Sequence, residues 1–367
     1  MRIGFDAFPL AGSYGGISTY ARQLLFALVR MGERHEFFAY GPRSGNWPER
    51  GWEAKNRDQI KWIRTSKVLV RKHGRLDHLD IYHGTNFKLQ TCGRYGSVLT
   101  IHDLWLDRNP HYSPKLFGQH LSFYRTRRRA SHASKIIAVS HFAAKEIQEL
   151  YGIPAGKIRI IHHGVSAEFF PEKDEEKLLT LRRRYHLPLA PYILFVGGAE
   201  PRKNHSAVFQ SFAHCPHLSN THKVIAVGSE HSRWGHLQET SRSLGISDSI
   251  FCIGRIPQED LRLLYSHADV FVFPSLYEGF GFPSLEAMAC GAPVVTSNTT
   301  ALPEVAGDAA ILIDPANDEE LGQAIVHVLE DSAIAESLQA KGLQRVKQFT
   351  WEQTACQTLH VYRELWS

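Results

Sequence analysis

Two successive series of short apolar segments, each alternating with amphipathic stretches, constrain the fold of this chain more than any other feature. The first series comprises Arg2 to Phe5, Glu36 to Tyr40, Ile81 to His83, Ser97 to Ile101, Lys135 to Val139 and Ile158 to Ile161. The second comprises Tyr192 to Val196, Lys223 to Val227, Ile250 to Phe251, Val270 to Phe273, Pro293 to Thr296 and Ala310 to Ile313. Such runs, bounded by turn residues, read as strands covered on both faces, the condition of a parallel sheet. Helical stretches such as Thr19 to Met31 and His141 to Tyr151 supply the crossovers that parallel strands need. Between the series, near 165 to 188, FFPEKDEEKLLTLRRRYHLPLAP provides a linker and one charged helix. The pattern predicts an α/β chain of two Rossmann-like halves with a cleft between them. A length of 367 residues exceeds one usual core, and 43% hydrophobic residues can fill two. The expected division is 1–170, 171–348 and, at 349–367, an amphipathic terminal helix carrying Trp351, Leu359, Tyr362, Leu365 and Trp366.

The segment EGFGFPSLEAMACG, Glu278 to Gly291, carries the clearest chemistry. Val270 to Phe273 reads as a strand, Pro274 to Pro283 as the loop at its carboxyl end, and Ser284 to Cys290 as helix, stopped by Gly291 and Pro293. Ligands bind at such loops in open α/β sheets. Gly279 and Gly281 permit a tight path with exposed N–H groups, and the helix start offers more, so a phosphate or a developing anion fits there. Glu278 and Glu286 suit hydroxyl donors instead, one carboxylate on a sugar and one on a ribose. Arg202 and Lys203, just beyond the Tyr192 to Val196 strand, add fixed cations, which stabilise a leaving diphosphate as it gains charge. His102 and Asp103 end another strand, where His102 is positioned to donate a hydrogen bond to a sugar hydroxyl or to orient the reacting groups, and Asp103 to fix its tautomer or cap local backbone. In AGSYGGISTY, Gly15 and Gly16 allow close backbone approach, and Ser18 is placed to cap a helix beginning near Thr19.

Charge is unevenly spread. The net charge is +5, yet residues 1–180 carry 28 Lys plus Arg against 17 Asp plus Glu, whereas 181–367 carry 14 against 20. The basic surface therefore belongs to the first half, densest at Arg125, Arg127, Arg128 and Arg129 and supported by Lys67, Arg71 and Lys72. It predicts peripheral contact with an anionic membrane, or attraction to a pyrophosphate-linked lipid. Nucleic acid is not expected, because no zinc-finger spacing, RRM-like motif or helix-turn-helix is present. Five scattered cysteines without a CxxC pair argue against disulfides and structural zinc, and Cys290 reads as a small buried hydrophobe. No leader pattern and no apolar run near the roughly 18 residues of a membrane span are present, which predicts cytoplasmic residence, with association at the inner face of the membrane.

Four motifs, GGISTY at 15–20, TIHDLWL at 100–106, FVGGAEPRKNH at 195–205 and Ser275 to Pro315, stand in the order found in the retaining GT-B glycosyltransferases of family 4. The chain resembles that family, and especially its bacterial mannosyltransferase-like members. The resemblance implies a GT-B fold, two Rossmann-like domains facing each other across a cleft, with the terminal helix crossing back onto the N-terminal domain. It implies catalytic roles for His102, Glu278 and Lys203. Donor diphosphate would be held by Arg202, Lys203, Gly281, Phe282 and Gly16, and donor sugar by His102, Glu278, Phe280 and Gly281. Glu286 would take the ribose, and Gly254, Arg255 and Ile256 the base. Gly15, Gly16, Asp103 and Trp105 would border the acceptor, with His162 and His163 near the seam in a supporting place. The family pattern often has an arginine where this chain has Gly197 and Gly198, which shifts phosphate binding toward Arg202, Lys203 and backbone N–H groups.

The implied reaction moves a hexose, mannose from GDP-mannose, to a saccharide or polyprenyl-pyrophosphate-linked saccharide acceptor in cell-surface polysaccharide synthesis, without cofactor or metal. The alternatives are a hexosyltransferase using UDP or another nucleotide sugar, a nucleotide-sugar epimerase, and a non-catalytic saccharide-binding protein. No acid–base set suited to inversion at a sugar ring supports the epimerase.

Overall fold

The computed structural model describes residues 1–11, 15–31, 35–44, 59–112, 121–228 and 235–366. Gly12 to Tyr14 of the first glycine loop lie outside the described residues. The chain divides into one unit of Met1–Gly164 with Phe349–Ser367 and a second of Val165–Gln348. The division falls at 164, six residues before the expected 170, so the FFP turn groups with the second unit.

The first unit contains β1 (Arg2–Asp6), β2 (Glu36–Gly41), β3 (Ile60–Arg64), β4 (Ile81–Gly84), β5 (Gly96–Ile101), β6 (Lys135–Ala138) and β7 (Ile158–Ile160). They pair in parallel in the order β3-β2-β1-β4-β5-β6-β7. The sequence reading missed β3. Its residues, IKWIR, are buried at Ile60 but exposed at Lys61 and Arg64, because an edge strand keeps polar side chains that mask the apolar signal. The central strands are almost wholly buried, which accounts for their continuous apolar runs.

Local signals fix the helix ends. Ser140 caps the His141–Tyr151 helix by accepting from the Ala143 N–H at 3.0 Å, and Gly152 closes it at φ 67°. The first helix is Gly16–Arg30, with Gly15 as its N-cap and no side-chain cap. Ser18 thus does not cap it, because the helix begins at Gly16, three residues before Thr19, and turns Ser18 into the buried face. The terminal helix, Trp351–Trp366, packs on Gly16–Arg30, with Trp351 near Tyr20 and with Ala355, Leu359 and Tyr362 buried. Trp366 is exposed instead of packed. Glu364 anchors the far end to Arg159 at 2.7 Å and Lys135 at 3.1 Å.

The second unit has β8 (Tyr192–Val196), β9 (Lys223–Val227), β10 (Ile250–Ile253), β11 (Val270–Phe273), β12 (Val294–Ser297) and β13 (Ile311–Ile313). All pair in parallel, in the order β10-β9-β8-β11-β12-β13. In both sheets the chain runs outward from a central strand and then resumes on its other side. The reversal lies between β1 and β4 in the first unit and between β8 and β11 in the second. Loops at the carboxyl ends of such neighbours diverge and leave room for a ligand. Among the described residues no helix is long and apolar enough to cross a membrane. All five cysteines are free, and burial pushes the Cys290 thiol up to about 12, as suits a packing residue.

Candidate active site

In the second unit, Arg202 and Lys203 follow β8 while Glu278 follows β11, so the two loops flank the point of reversal. Backbone and side-chain bonds tie the loops together. Leu276 N–H donates to the Arg202 carbonyl at 2.8 Å, and Asn204 Nδ2 donates to Pro274 and Pro315 carbonyls at 3.1 and 2.7 Å. Asn204 adopts φ 58°, a left-handed turn that asparagine tolerates, and Lys203 Nζ stands over the Phe273 ring of β11 at 4.9 Å.

Three charges meet there. Lys203 Nζ lies 2.6 Å from Glu278 Oε1, and Arg202 Nη1 lies 3.1 Å from Oε2. Ser275 Oγ donates to Glu278 Oε1 at 2.8 Å, and Arg202 also donates to the Tyr277 carbonyl at 3.2 Å. Lys203 and Glu278 are each 7% exposed. Burial alone would raise the Glu278 carboxyl, but the charges of Lys203 and Arg202 outweigh it and hold the group below the usual carboxylate range. Burial lowers Lys203 despite its partner, and the Arg202 charge adds to that. The result is an ionised carboxylate between two cations, a cluster with a surplus positive charge in a site of low exposure.

Gly281 turns the chain from this loop into the Phe282–Ala289 helix at φ 114°, and a Cβ there would lie 2.7 Å from Leu302. Only glycine fits both demands. The helix starts two residues earlier than the sequence reading placed it, with Pro283 in its first turn, where a missing N–H costs nothing. Ser284 Oγ is buried in that turn with no hydrogen-bond partner among the described residues. Phe280 packs edge-on against Phe282 with ring centres 5.5 Å apart.

Glu286 stands apart from the charged cluster. Its carboxylate accepts from Tyr265 at 3.2 Å, and burial pushes it up to about 7 although Tyr265 works against the shift. The two carboxylates of the motif therefore have opposite electrostatics, one ionised by cations and one poised near neutrality by burial. Gly254, Arg255 and Ile256 follow β10, at the sheet edge and separated from β8 by β9. Two strand spacings, about 10 Å, thus separate them laterally from the Arg202–Lys203 loop.

In the first unit, His102 lies just beyond β5 and is 7% exposed. Its Nε2 is 2.8 Å from the Thr85 carbonyl oxygen, which can only accept, so Nε2 carries the proton. Burial lowers this histidine to about 4, despite that hydrogen bond. The neutral ring therefore presents Nδ1 as an acceptor, and the expectation that His102 donates to a sugar hydroxyl is corrected. Nor does Asp103 fix the tautomer, because Thr85 does so; Asp103 Oδ1 accepts from the Trp105 N–H at 3.1 Å and caps the local turn. Trp105 stacks on Tyr112 at 5.6 Å.

Behind His102, Tyr20 meets the ring edge-on at 4.8 Å, and Tyr20 and His83 both bond the Thr100 hydroxyl, at 2.8 and 2.7 Å. His83 Nδ1 and the Tyr362 hydroxyl are 2.6 Å apart, which joins the terminal helix to this network. His163 is buried between Tyr20 and Trp351, whereas His162 faces His141 and Phe349. Sequence reasoning missed Thr85, Ser275 and Tyr265. Thr85 and Tyr265 are far in the chain from His102 and Glu286 and stand in no motif, whereas Ser275 opens the Ser275 to Pro315 motif and its SxxE spacing to Glu278 was the local trace of its role.

Two family models match the chain: "Glycosyltransferase Family 4" over residues 14–169 and "Glycosyl transferases group 1" over residues 183–345. The O-antigen chain mannosyltransferase B of Escherichia coli is 35% identical over the full length of both chains. The chain belongs to glycosyltransferase family 4. Its architecture is the GT-B fold, with two Rossmann-like domains and a C-terminal helix that returns to the first. The sucrose-phosphate synthase of Thermosynechococcus elongatus shares that fold at a TM-score of 0.80 and 21% identity, covering 99% of this chain and 98% of that one. Anabaena HepE in complex with UDP-glucose does so at 0.74 and 18%, covering 98% and 100%. This glycosyltransferase has, among its described residues, no group of three or more His, Cys, Asp or Glu side chains able to hold a metal ion.

Proposed function

We propose that this glycosyltransferase moves mannose from GDP-mannose to a hydroxyl of a saccharide or lipid-linked saccharide, with retention of anomeric configuration and without a metal. The observation that carries the reading is the meeting of Arg202 and Lys203 with Glu278 and the start of the Phe282–Ala289 helix where the strand order of the second sheet reverses. There Lys203, Arg202 and the Gly281 and Phe282 amides would hold the diphosphate. Glu278 and Phe280 would border the sugar, Glu286 the ribose, and Gly254 to Ile256 the base.

As the bond from the anomeric carbon to the β-phosphate oxygen breaks, its electron pair moves onto the phosphate. Fixed cations favour that state over the bound donor. The acceptor oxygen forms the new bond, and its proton passes to the departing phosphate. His102 Nδ1 would accept from a hydroxyl of the reacting sugar, and Gly15, Gly16, Asp103 and Trp105 would border the acceptor.

Mannose is favoured by the full-length similarity to the E. coli mannosyltransferase. A UDP-glucose-type donor is the second reading, favoured by the complex of Anabaena HepE, which shares the fold. The deciding experiment is a mass-resolved transfer assay that pairs GDP- and UDP-sugars with soluble and lipid-linked saccharides, with EDTA in one arm. A hexose added from GDP-mannose and surviving EDTA is the expected result. Transfer from UDP-glucose alone would replace the donor, and epimerised donor without transfer would reject the reaction class.

Membrane contact is part of the proposal. Val68 and Leu76 are 87% and 65% exposed beside Arg71, Lys72 and Arg75, which suits an anionic lipid surface at the inner face of the cytoplasmic membrane. Failure to float with anionic vesicles at low salt would remove this part.

A further inference from the structure

A cavity of about 210 Å³ lies at the carboxyl ends of β1 and β4, lined by Asp6, Phe8, Lys67, Tyr82, Lys88 and Arg129 among others. These strands are the neighbours at which the order of the first sheet reverses, the counterpart of the position taken by Arg202 and Glu278 in the second. None of the four motifs contains Lys67, Lys88 or Arg129.

Charge in the cavity is unbalanced. Among the described residues lining it, Lys67, Lys88 and Arg129 face one carboxylate, Asp6, which is 2% exposed and accepts from the Phe8 N–H at 3.1 Å. Lys67 and Lys88 line the same cavity and repel as like charges. Burial, then Lys67, lowers Lys88 to about 8, with Arg129 adding to the shift and Asp6 opposing it. Burial raises Asp6 to about 6 in spite of both lysines, so this carboxylate is a weak counter-charge.

The backbone is built to hold this arrangement. The chain after β4 folds back so that a Cβ on Gly84 would lie 1.9 Å from the Lys88 carbonyl oxygen, a turn only glycine permits. Arg129 donates to the Phe87 carbonyl at 3.3 Å, Gln90 donates to the Lys67 carbonyl at 3.2 Å, and Lys67 sits over the Phe8 ring at 5.5 Å. Three cations are thus gathered by fixed partners around one cavity, where an anion with several oxygens would satisfy all three. Arg127 and Arg128 line a separate depression with Tyr124 and Lys157.

We propose that this cavity binds a phosphate or diphosphate ester carried by the acceptor, with Lys67, Lys88 and Arg129 as its ligands. The inference rests on the reading that the first unit receives the acceptor, and it specifies the acceptor as anionic close to the hydroxyl that reacts.

The test uses the full-length protein with saturating GDP, so that the donor site is filled, and titrates inorganic pyrophosphate by calorimetry. Wild type is expected to bind; Lys88→Ala and Arg129→Ala are each expected to weaken binding at least tenfold, whereas Lys145→Ala, an exposed cation on the His141–Tyr151 helix, stays within twofold. Asp6→Asn keeps the acceptor for the Phe8 N–H but removes the opposing charge, so it is expected to tighten binding. No pyrophosphate binding in wild type, or equal binding in Lys88→Ala and Arg129→Ala, overturns the proposal. A farnesyl diphosphate arm separates the sources: tighter binding than pyrophosphate identifies a lipid diphosphate, and equal binding a soluble phosphate ester. GDP binding is recorded in every variant; its loss in Lys203→Ala alone concerns the donor reading, so the two failures remain distinct.

Discussion

Replacing Glu278 by Gln is expected to tighten the binding of a nucleoside diphosphate while slowing transfer. In the native protein the Glu278 carboxylate lies 2.6 Å from Lys203 and 3.1 Å from Arg202, and so cancels part of the positive charge assigned to the donor diphosphate. A phosphate oxygen on the same ammonium would stand about 5 Å from the carboxylate. At an effective dielectric of about 20, unit charges at that distance repel by about 3 kcal/mol. Removing the repulsion corresponds to about a hundredfold gain in affinity. Gln keeps one oxygen for Ser275 and Lys203 but turns an NH₂ toward Arg202, which leaves two cations facing each other. Loss of one partner from a buried pair costs about 3–5 kcal/mol, and thus roughly 6–20 °C in melting temperature for a unit of this size. Bound diphosphate should restore much of that loss. The assay is calorimetric titration of GDP and UDP, with circular dichroism to verify the fold and transfer rates measured alongside. Unchanged or weaker diphosphate binding in a folded Glu278→Gln protein would refute the placement of the diphosphate on Arg202 and Lys203.

Glu286, raised to about 7, is protonated below neutrality, so the KM for donor should fall as pH rises through about 7, and Glu286→Gln should flatten that profile between pH 6 and 8.5. The same raised pKa means that the stability this group contributes is present at low pH and lost as pH rises through about 7. His102, lowered from 6.5 to about 4, has the opposite sign: its contribution is present above pH 6.5 and lost as pH falls toward 4. His102→Gln should therefore reduce the acid slope of stability in urea titrations by about 1.4 kcal/mol per pH unit in that window, and lower kcat more than it raises the donor KM. Gly281→Ala combines φ 114° with a 2.7 Å approach to Leu302; it should cost roughly 1–3 kcal/mol in denaturant titration and depress donor binding as the helix start shifts.

The sequence by itself determined the α/β class, twelve of the thirteen strands, the return of the terminal helix to the first unit, and the family. The strands are local, because apolar runs and glycine turns act within a few residues of themselves; the helix return and the family came instead from the order of the four motifs. The edge strand Ile60–Arg64 was not legible, because half of its side chains face water and its lysine and arginine read as a basic surface run. At the candidate site the residue types were legible but their states were not. Glu278 and Glu286 look alike eight positions apart, yet one lies between Lys203 and Arg202 while the other meets only Tyr265 and a buried surface. His102 was visible as a histidine at a strand end, but its tautomer depends on the Thr85 carbonyl, which the pairing of β4 with β5 brings beside it. The cavity of Lys67, Lys88 and Arg129 left no motif at all, since its members come from three separated segments. Charge, proton position and pocket shape depend on which groups share a low-dielectric space, and the order of strands in the sheet, not the order of residues in the chain, decides that.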